Sequence, residues 1–213
     1  AEGGAMLTDD VRPFEMMKLR MLNGAHTFLA MLGSLAGLET VDACMADPVF
    51  RKAARSLMLD EQRPTLPAIE GVDIEAYADD LITRFTNPKL KHRTGQIAWD
   101  TSQKLPQRLL HSVEENIEAG RPFPLLALAV AGWMRFVKLT ADNGGTLTDP
   151  LAEQLLAMAR ERDGEALVDG LIAIDTIFDA GLSAQPAFRS AILKAYDSIV
   201  ENGPREAVAI TIR

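Results

Sequence analysis

Residues 14–36 read FEMMKLRMLNGAHTFLAMLGSLA, and this stretch decides the fold. Met, Leu, Phe and Ala recur around almost the whole circumference of a helix. Pro13 stands where a first turn tolerates a missing N–H, and Gly37 follows as a stop. A helix apolar on most faces belongs in the middle of a bundle rather than on its surface. Lys18, Arg20, Asn23 and His26 are therefore polar groups carried into or beside a core, and such groups need a reason to be there.

Working outward, helical periodicity continues and the period-two alternation of strands is nearly absent. Asp47-Pro48 reads as an N-cap and first turn for a helix over 49–62, closed by Arg63-Pro64. A loop over 64–71 precedes a helix over 73–85, which ends at the turn Asn87-Pro88. From Pro88 to Pro106 the pattern weakens and the chain becomes basic. Further helices are expected over 106–119, 124–140, 149–162, 165–180 and 186–201, with Asn143-Gly144-Gly145 as a turn and Gly181 and Gly203 as C-caps. The tail from Pro204 is helical or irregular. With no repeat and no long linker, the chain reads as one all-α domain of about eight to ten helices.

Composition narrows the function classes. Of 213 residues, 47% are hydrophobic and 24% charged, the balance of a soluble globular domain. Thirty acids against 22 bases leave a net charge of -8, which argues against nucleic acid or an anionic membrane as partner while leaving room for a small anion held by local bases. The longest apolar stretch, Phe123 to Trp133, is interrupted by Pro124 and is too short to span a bilayer. A single cysteine, Cys44, allows no internal disulfide and no thiolate metal site, and it points to the cytoplasm. Cys44 itself reads as a buried structural thiol, and Gly33 and Gly37 as sites of close helix packing. The three histidines, His26, His92 and His111, lack the i+3 or i+4 partner of a zinc helix, so no metal is expected. The first residues have no basic start and no apolar core of a secretory leader, and the missing initiator Met suggests a piece of a longer protein.

What remains is Lys18, Asn23 and His26 at i, i+5 and i+8. On a regular α-helix these fall at roughly 0, 140 and 80° and span about 12 Å along the axis. An amine that exchanges a proton, beside an amide that donates to a developing alkoxide, suits interconversion of an alcohol and a ketone without metal. Polar residues at a solvated helix edge would show the same spacing. These residues carry a resemblance: Lys18-Leu-Arg-Met-Leu-Asn23-Gly-Ala-His26 is similar to the K-x-x-x-x-N-x-x-H pattern of the polyol-specific long-chain dehydrogenases, the mannitol dehydrogenase family. The segments Asp60 to Pro67 and Arg84 to Arg108 resemble further blocks of that family in the same order, so the resemblance covers nearly the whole chain.

The resemblance implies the family's C-terminal helical substrate domain, residues 1–213, with 1–12 an extended leader from an N-terminal Rossmann domain that carries NAD. It implies Lys18 as general acid/base, Asn23 as a holder of the reacting oxygen, and His26 as a positioner of substrate or of Asn23. A lysine ordinarily near 10.4 must be lowered to about 7–8 for that task, and Arg20 with an apolar surround could contribute. Where hexitol enzymes of the family carry Arg, this chain has Gln96, with His92-Arg93 upstream and Lys104-Leu-Pro-Gln-Arg108 downstream. That variation resembles the fructuronate reductase branch, whose substrate ends in a carboxylate, a group that calls for positive donors. Arg93, Lys104, Gln96 and His92 are thus candidates for substrate contact; an ion pair of Arg93 with Asp100 is the structural alternative, and Arg108 reads as structural. The expectation is a monomeric enzyme interconverting D-fructuronate and D-mannonate. A hexitol 2-dehydrogenase, a non-catalytic helical binding module and a regulatory ligand-binding domain are the competing readings.

Overall fold

The computed structural model describes residues 10–213. Helices α1 (Arg12–Met17) and α2 (Ala25–Leu35) are two ends of one rod, joined without a break by the π-helical segment π1 (Lys18–Gly24). Helix α3 (Val41–Ala46) is capped by Thr40 and α4 (Pro48–Ser56) by Asp47, whose carboxylate accepts from Val49 N at 2.8 Å. A second π segment, π2 (Leu57–Gln62), continues α4 into a 3-10 turn over Arg63–Thr65. Helix α5 (Ile74–Phe85) starts at Asp73, which accepts from Glu75 N and Ala76 N. The basic stretch holds two short helices, α6 (Thr94–Ile97) and α7 (Thr101–Leu105); π3 (Pro106–Leu110) then carries α7 straight into α8 (His111–Glu118).

The remainder is α9 (Pro124–Asp142), α10 (Ala152–Glu161), α11 (Gly164–Ile172), α12 (Ala180–Ser183), α13 (Pro186–Asn202) and α14 (Pro204–Thr211). Helix α9 packs against α2, α10 and α13, and its apolar circumference is buried there. It is long and apolar enough to cross a membrane by length and composition, and its packing inside the bundle accounts for that character. No strand occurs among the described residues; Thr40 and Arg93 form one isolated antiparallel bridge.

The all-α reading therefore holds, with three corrections. The helix expected over 165–180 ends at Ile172: Ile174, Ile177 and Phe178 keep a helical apolar rhythm, yet Ile177 N and Phe178 N both bond to the Ile174 carbonyl in a turn. Gly181 lies inside α12 rather than closing a helix, whereas Gly203, at φ +78, does terminate α13. Of the leader expected over 1–12, residues 1–9 lie outside the described residues and Arg12 is already helical. Gly33 allows the close packing expected of it, since a Cβ there would stand 2.3 Å from Cys44 Sγ. Cys44 is fully buried, its thiol pushed up to about 12 by burial, as befits a structural residue.

Candidate active site

The three π segments lie side by side: π1 packs against both π2 and π3. Gln62, fully buried at the end of π2, ties them together. Its Nε2 donates to the Arg20 carbonyl of π1 at 2.6 Å and, at 3.5 Å, to the Arg108 carbonyl of π3. Gly24 makes this approach possible, for a Cβ on it would sit 2.2 Å from Gln62 Nε2 and 2.8 Å from the Arg108 oxygen. Around this knot Thr65 Oγ1 donates to the Gln62 carbonyl at 2.7 Å, and Asn116 Nδ2 to the Glu61 carbonyl at 2.8 Å.

The π turn changes how Lys18, Asn23 and His26 relate. In a π-helix the backbone bond joins residues i and i+5, which is the separation of Lys18 and Asn23. The two therefore lie nearer one face of the rod than on a regular α-helix, which would hold them roughly 140° apart. His26 follows in the first turn of α2. Lys18 is exposed, Asn23 half-buried, and the Asn23 carbonyl accepts from Thr27 Oγ1 at 3.0 Å.

His26 is packed between rings, with Phe85 at 4.4 Å and His92 at 5.5 Å between centroids. Its Nε2 is buried without a hydrogen-bond partner in the structure. Burial, with the positive fields of His92, Arg108 and Arg84 added, lowers its pKa to about 4, so the ring is neutral at pH 7. His92 is held in place by its carbonyl, which accepts from Val41 N at 2.9 Å, while Thr94 N donates to the Glu39 carbonyl.

Lys104 sits at the end of α7, half-buried, donating Nζ to the Trp99 carbonyl. Burial lowers its pKa and the neighbouring Arg108 adds to that shift. Helix α7 is pinned at its start by Asp149, which accepts from Ser102 N and Ser102 Oγ at 2.9 and 2.6 Å. Arg108 donates Nη1 to Thr27 Oγ1 at 3.1 Å, so it bridges π3 to the rod that bears Asn23 and His26. Lys18, Asn23, His26, His92, Lys104 and Arg108 thus belong to one neighbourhood of contacting segments.

Arg93 and Gln96 are placed differently. Both are exposed and line an open cleft with Ser34, Leu38, Glu39 and Trp99, beside the C-terminal end of α2. Arg93 forms no ion pair among the described residues, so pairing with Asp100 does not explain it. Arg20 is committed elsewhere: it is buried and donates to the Thr65 carbonyl at 2.5 Å and to Glu115 Oε1 at 2.6 Å. It staples the rod to α8 rather than adding free positive charge beside Lys18. Sequence reasoning passed over Arg84, Gln62 and the site position of Arg108. Only Arg108 left a usable signal, since it lies one turn beyond Lys104.

With this geometry in place, comparison with known proteins identifies the class. Residues 10–200 match the family described as the mannitol dehydrogenase C-terminal domain. D-mannonate oxidoreductase of Escherichia coli (strain K12) is 47% identical over 208 residues, covering 97% of this chain and 43% of that protein. A mannitol 2-dehydrogenase of Aspergillus fumigatus is 37% identical over 195 residues, 91% of this chain and 38% of that protein. The Pseudomonas fluorescens mannitol 2-dehydrogenase, solved as a ternary complex with NAD and D-mannitol, superposes with a TM-score of 0.91 at 31% identity, over 99% of this chain and 43% of that one. The class is therefore the helical domain of polyol and sugar-acid dehydrogenases. The chain belongs to the mannitol dehydrogenase family, and it spans less than half the length of the relatives it matches.

Proposed function

We propose that the chain is the catalytic and substrate-binding domain of a metal-independent, NAD-dependent, monomeric cytoplasmic oxidoreductase that interconverts D-fructuronate and D-mannonate. The observation that carries the catalytic reading is the π turn that bears both Lys18 and Asn23, with His26 in the turn that follows. The identity to D-mannonate oxidoreductase and the basic surround of His26 support a sugar acid as the substrate.

A dinucleotide is ordinarily cradled by a glycine-rich turn between a parallel strand and a helix. The described residues contain no strand, so no such cradle is among them. The nicotinamide site would belong to an N-terminal Rossmann domain, in the part of the relatives that this chain does not cover. This chain's own share is the proton and the substrate's orientation. Lys18 Nζ gives a proton to the carbonyl oxygen in reduction and takes it from the hydroxyl in oxidation. Asn23 donates a hydrogen bond to that oxygen as charge develops on it. His26, neutral and locked between Phe85 and His92, presents a ring nitrogen to the substrate or to Asn23. Lys104 and His92 hold the remaining hydroxyls, and Arg93 and Gln96 line the open cleft beside the C-terminal end of α2.

The test is turnover by the full-length protein. Lys18→Ala lowers kcat by at least about a hundredfold while cofactor affinity stays the same, because general acid/base catalysis contributes 10² to 10⁴. A loss under tenfold would move proton transfer to another group. The likeness to a mannitol 2-dehydrogenase favours a second reading, a hexitol 2-dehydrogenase. Comparing kcat/KM on fructuronate and on fructose separates the two.

A further inference from the structure

Arg108 stands out among the described arginines, because a nitrogen of its side chain is buried without an acceptor. Arg20, Arg55, Arg189 and Arg205, which reach across the fold, each meet an Asp or Glu carboxylate. Arg108 is half-buried and meets none among the described residues. One edge of its guanidinium is tethered, Nη1 to Thr27 Oγ1. On the other edge, among the described residues, Nε is buried with no acceptor and Nη2 makes no hydrogen bond.

Its charged neighbours are cations and not anions. Lys104 is a like charge beside it, and the positive field of Arg108, with those of Arg84 and His92, helps to keep His26 neutral. Asp100 and Asp149 face Lys104, whereas among the described residues no carboxylate pairs with Arg108. Holding a guanidinium partly out of water with an unused edge costs stability unless something anionic completes it. Planar Nε and Nη2 donors match the two oxygens of a carboxylate.

We propose that Arg108 is the specificity residue of this site, receiving the carboxylate of a sugar-acid substrate on its Nε/Nη2 edge while Thr27 holds the opposite edge. The assignment rests on the sugar-acid reading above and replaces Arg93, which lines the separate open cleft. Arg108 comes from π3 and Asn23 from π1, and Thr27 joins them through one hydroxyl, accepting from Arg108 and donating to the Asn23 carbonyl. The anchor for the acid end of the substrate is therefore mechanically coupled to the turn that holds the reacting oxygen.

The experiment measures, in the full-length enzyme, the ratio of kcat/KM for fructuronate to that for fructose. Wild type favours the acid by about thirtyfold or more, and Arg108→Gln lowers that ratio by about thirtyfold or more, the range for removing one partner of a desolvated charge pair. Arg108→Lys keeps charge and stem, folds where the glutamine variant does not, and shows a reduced ratio because it lacks the fork. Added guanidinium restores the ratio in Arg108→Gln, which loss of structure alone would not allow. A wild-type ratio near one refutes the sugar-acid reading and the anchor with it. A high wild-type ratio that survives in both variants, or that collapses in Arg93→Gln instead, refutes the placement at Arg108 and leaves the sugar-acid reading standing.

Discussion

Gly24→Ala sets two physical rules against each other. Inside an exposed helix the change stabilises by about 1 kcal/mol, because alanine loses less backbone entropy on folding. Here the new Cβ would stand 2.2 Å from Gln62 Nε2 and 2.8 Å from the Arg108 carbonyl oxygen, neither of which is a free end in open space. Gln62 is fully buried and fixed to two carbonyls, and its Oε1 already lacks a partner. Overpacking costs about 1–3 kcal/mol. Turning the Gln62 amide away strands a buried donor and one or two carbonyls, about 1–3 kcal/mol more. Set against the helix-propensity gain, the net is a loss of about 1–5 kcal/mol, equivalent to a Tm lower by about 2–20 °C for a chain of this length. Urea and thermal unfolding followed by fluorescence of the buried Trp133 and by far-UV circular dichroism measure it. An unchanged or raised Tm would mean that the three π segments are not held together by Gln62, and the site geometry derived from them would fail.

Two further outcomes concern pH. His26 should titrate by NMR with a midpoint near 4, against an ordinary 6.5, so its contribution to stability is full above 6.5 and is lost as the pH falls through 4; a midpoint near 6.5 would place the ring in water. Glu61 is buried and accepts from Leu125 N and Leu126 N at the start of α9, both at 2.8 Å, yet burial outweighs these bonds and raises its pKa to about 7. The folded chain then binds this proton more tightly than the unfolded one. Its contribution is full below the ordinary 4.5 and is lost as the pH climbs through 7. Glu61→Gln should remove that dependence, seen as a stability difference from the parent that shrinks between pH 5 and 7.5; a difference that grows over that interval refutes the assignment.

The rod over 14–36 was legible because its apolar residues encircle the helix, which only a bundle centre rewards, and the N-caps Asp47 and Asp73 were legible from their side chains. The short helices α3, α6 and α7 carry too few turns to show a period. The π segments were hard to see for a different reason: their contacts come from outside, through Gln62 reaching across to π1 and π3, and their local marks are only Gly24 and the Pro106 that opens π3. Hence Lys18, Asn23 and His26 could be chosen from their spacing and family resemblance, but the π turn that relates them could not. Arg93 was favoured over Arg108 because charge in a polar loop is conspicuous in sequence, whereas a missing counter-ion is a three-dimensional fact.

A π turn holds one residue more than the α turn it replaces, and this gives π1 an unusual relation to insertions and deletions. Losing a residue from an ordinary helix swings everything beyond it by about 100° and draws it in by about 1.5 Å, which scrambles a core. Losing one from residues 18–24 would let the segment relax into a regular helix while α1 and α2 kept their orientations. The scaffold would survive an edit that separates the proton donor from the amide below it. At this place the chain's capacity to fold and its capacity to act are recorded in different residues, and a change of one codon's length could erase the second while leaving the first intact.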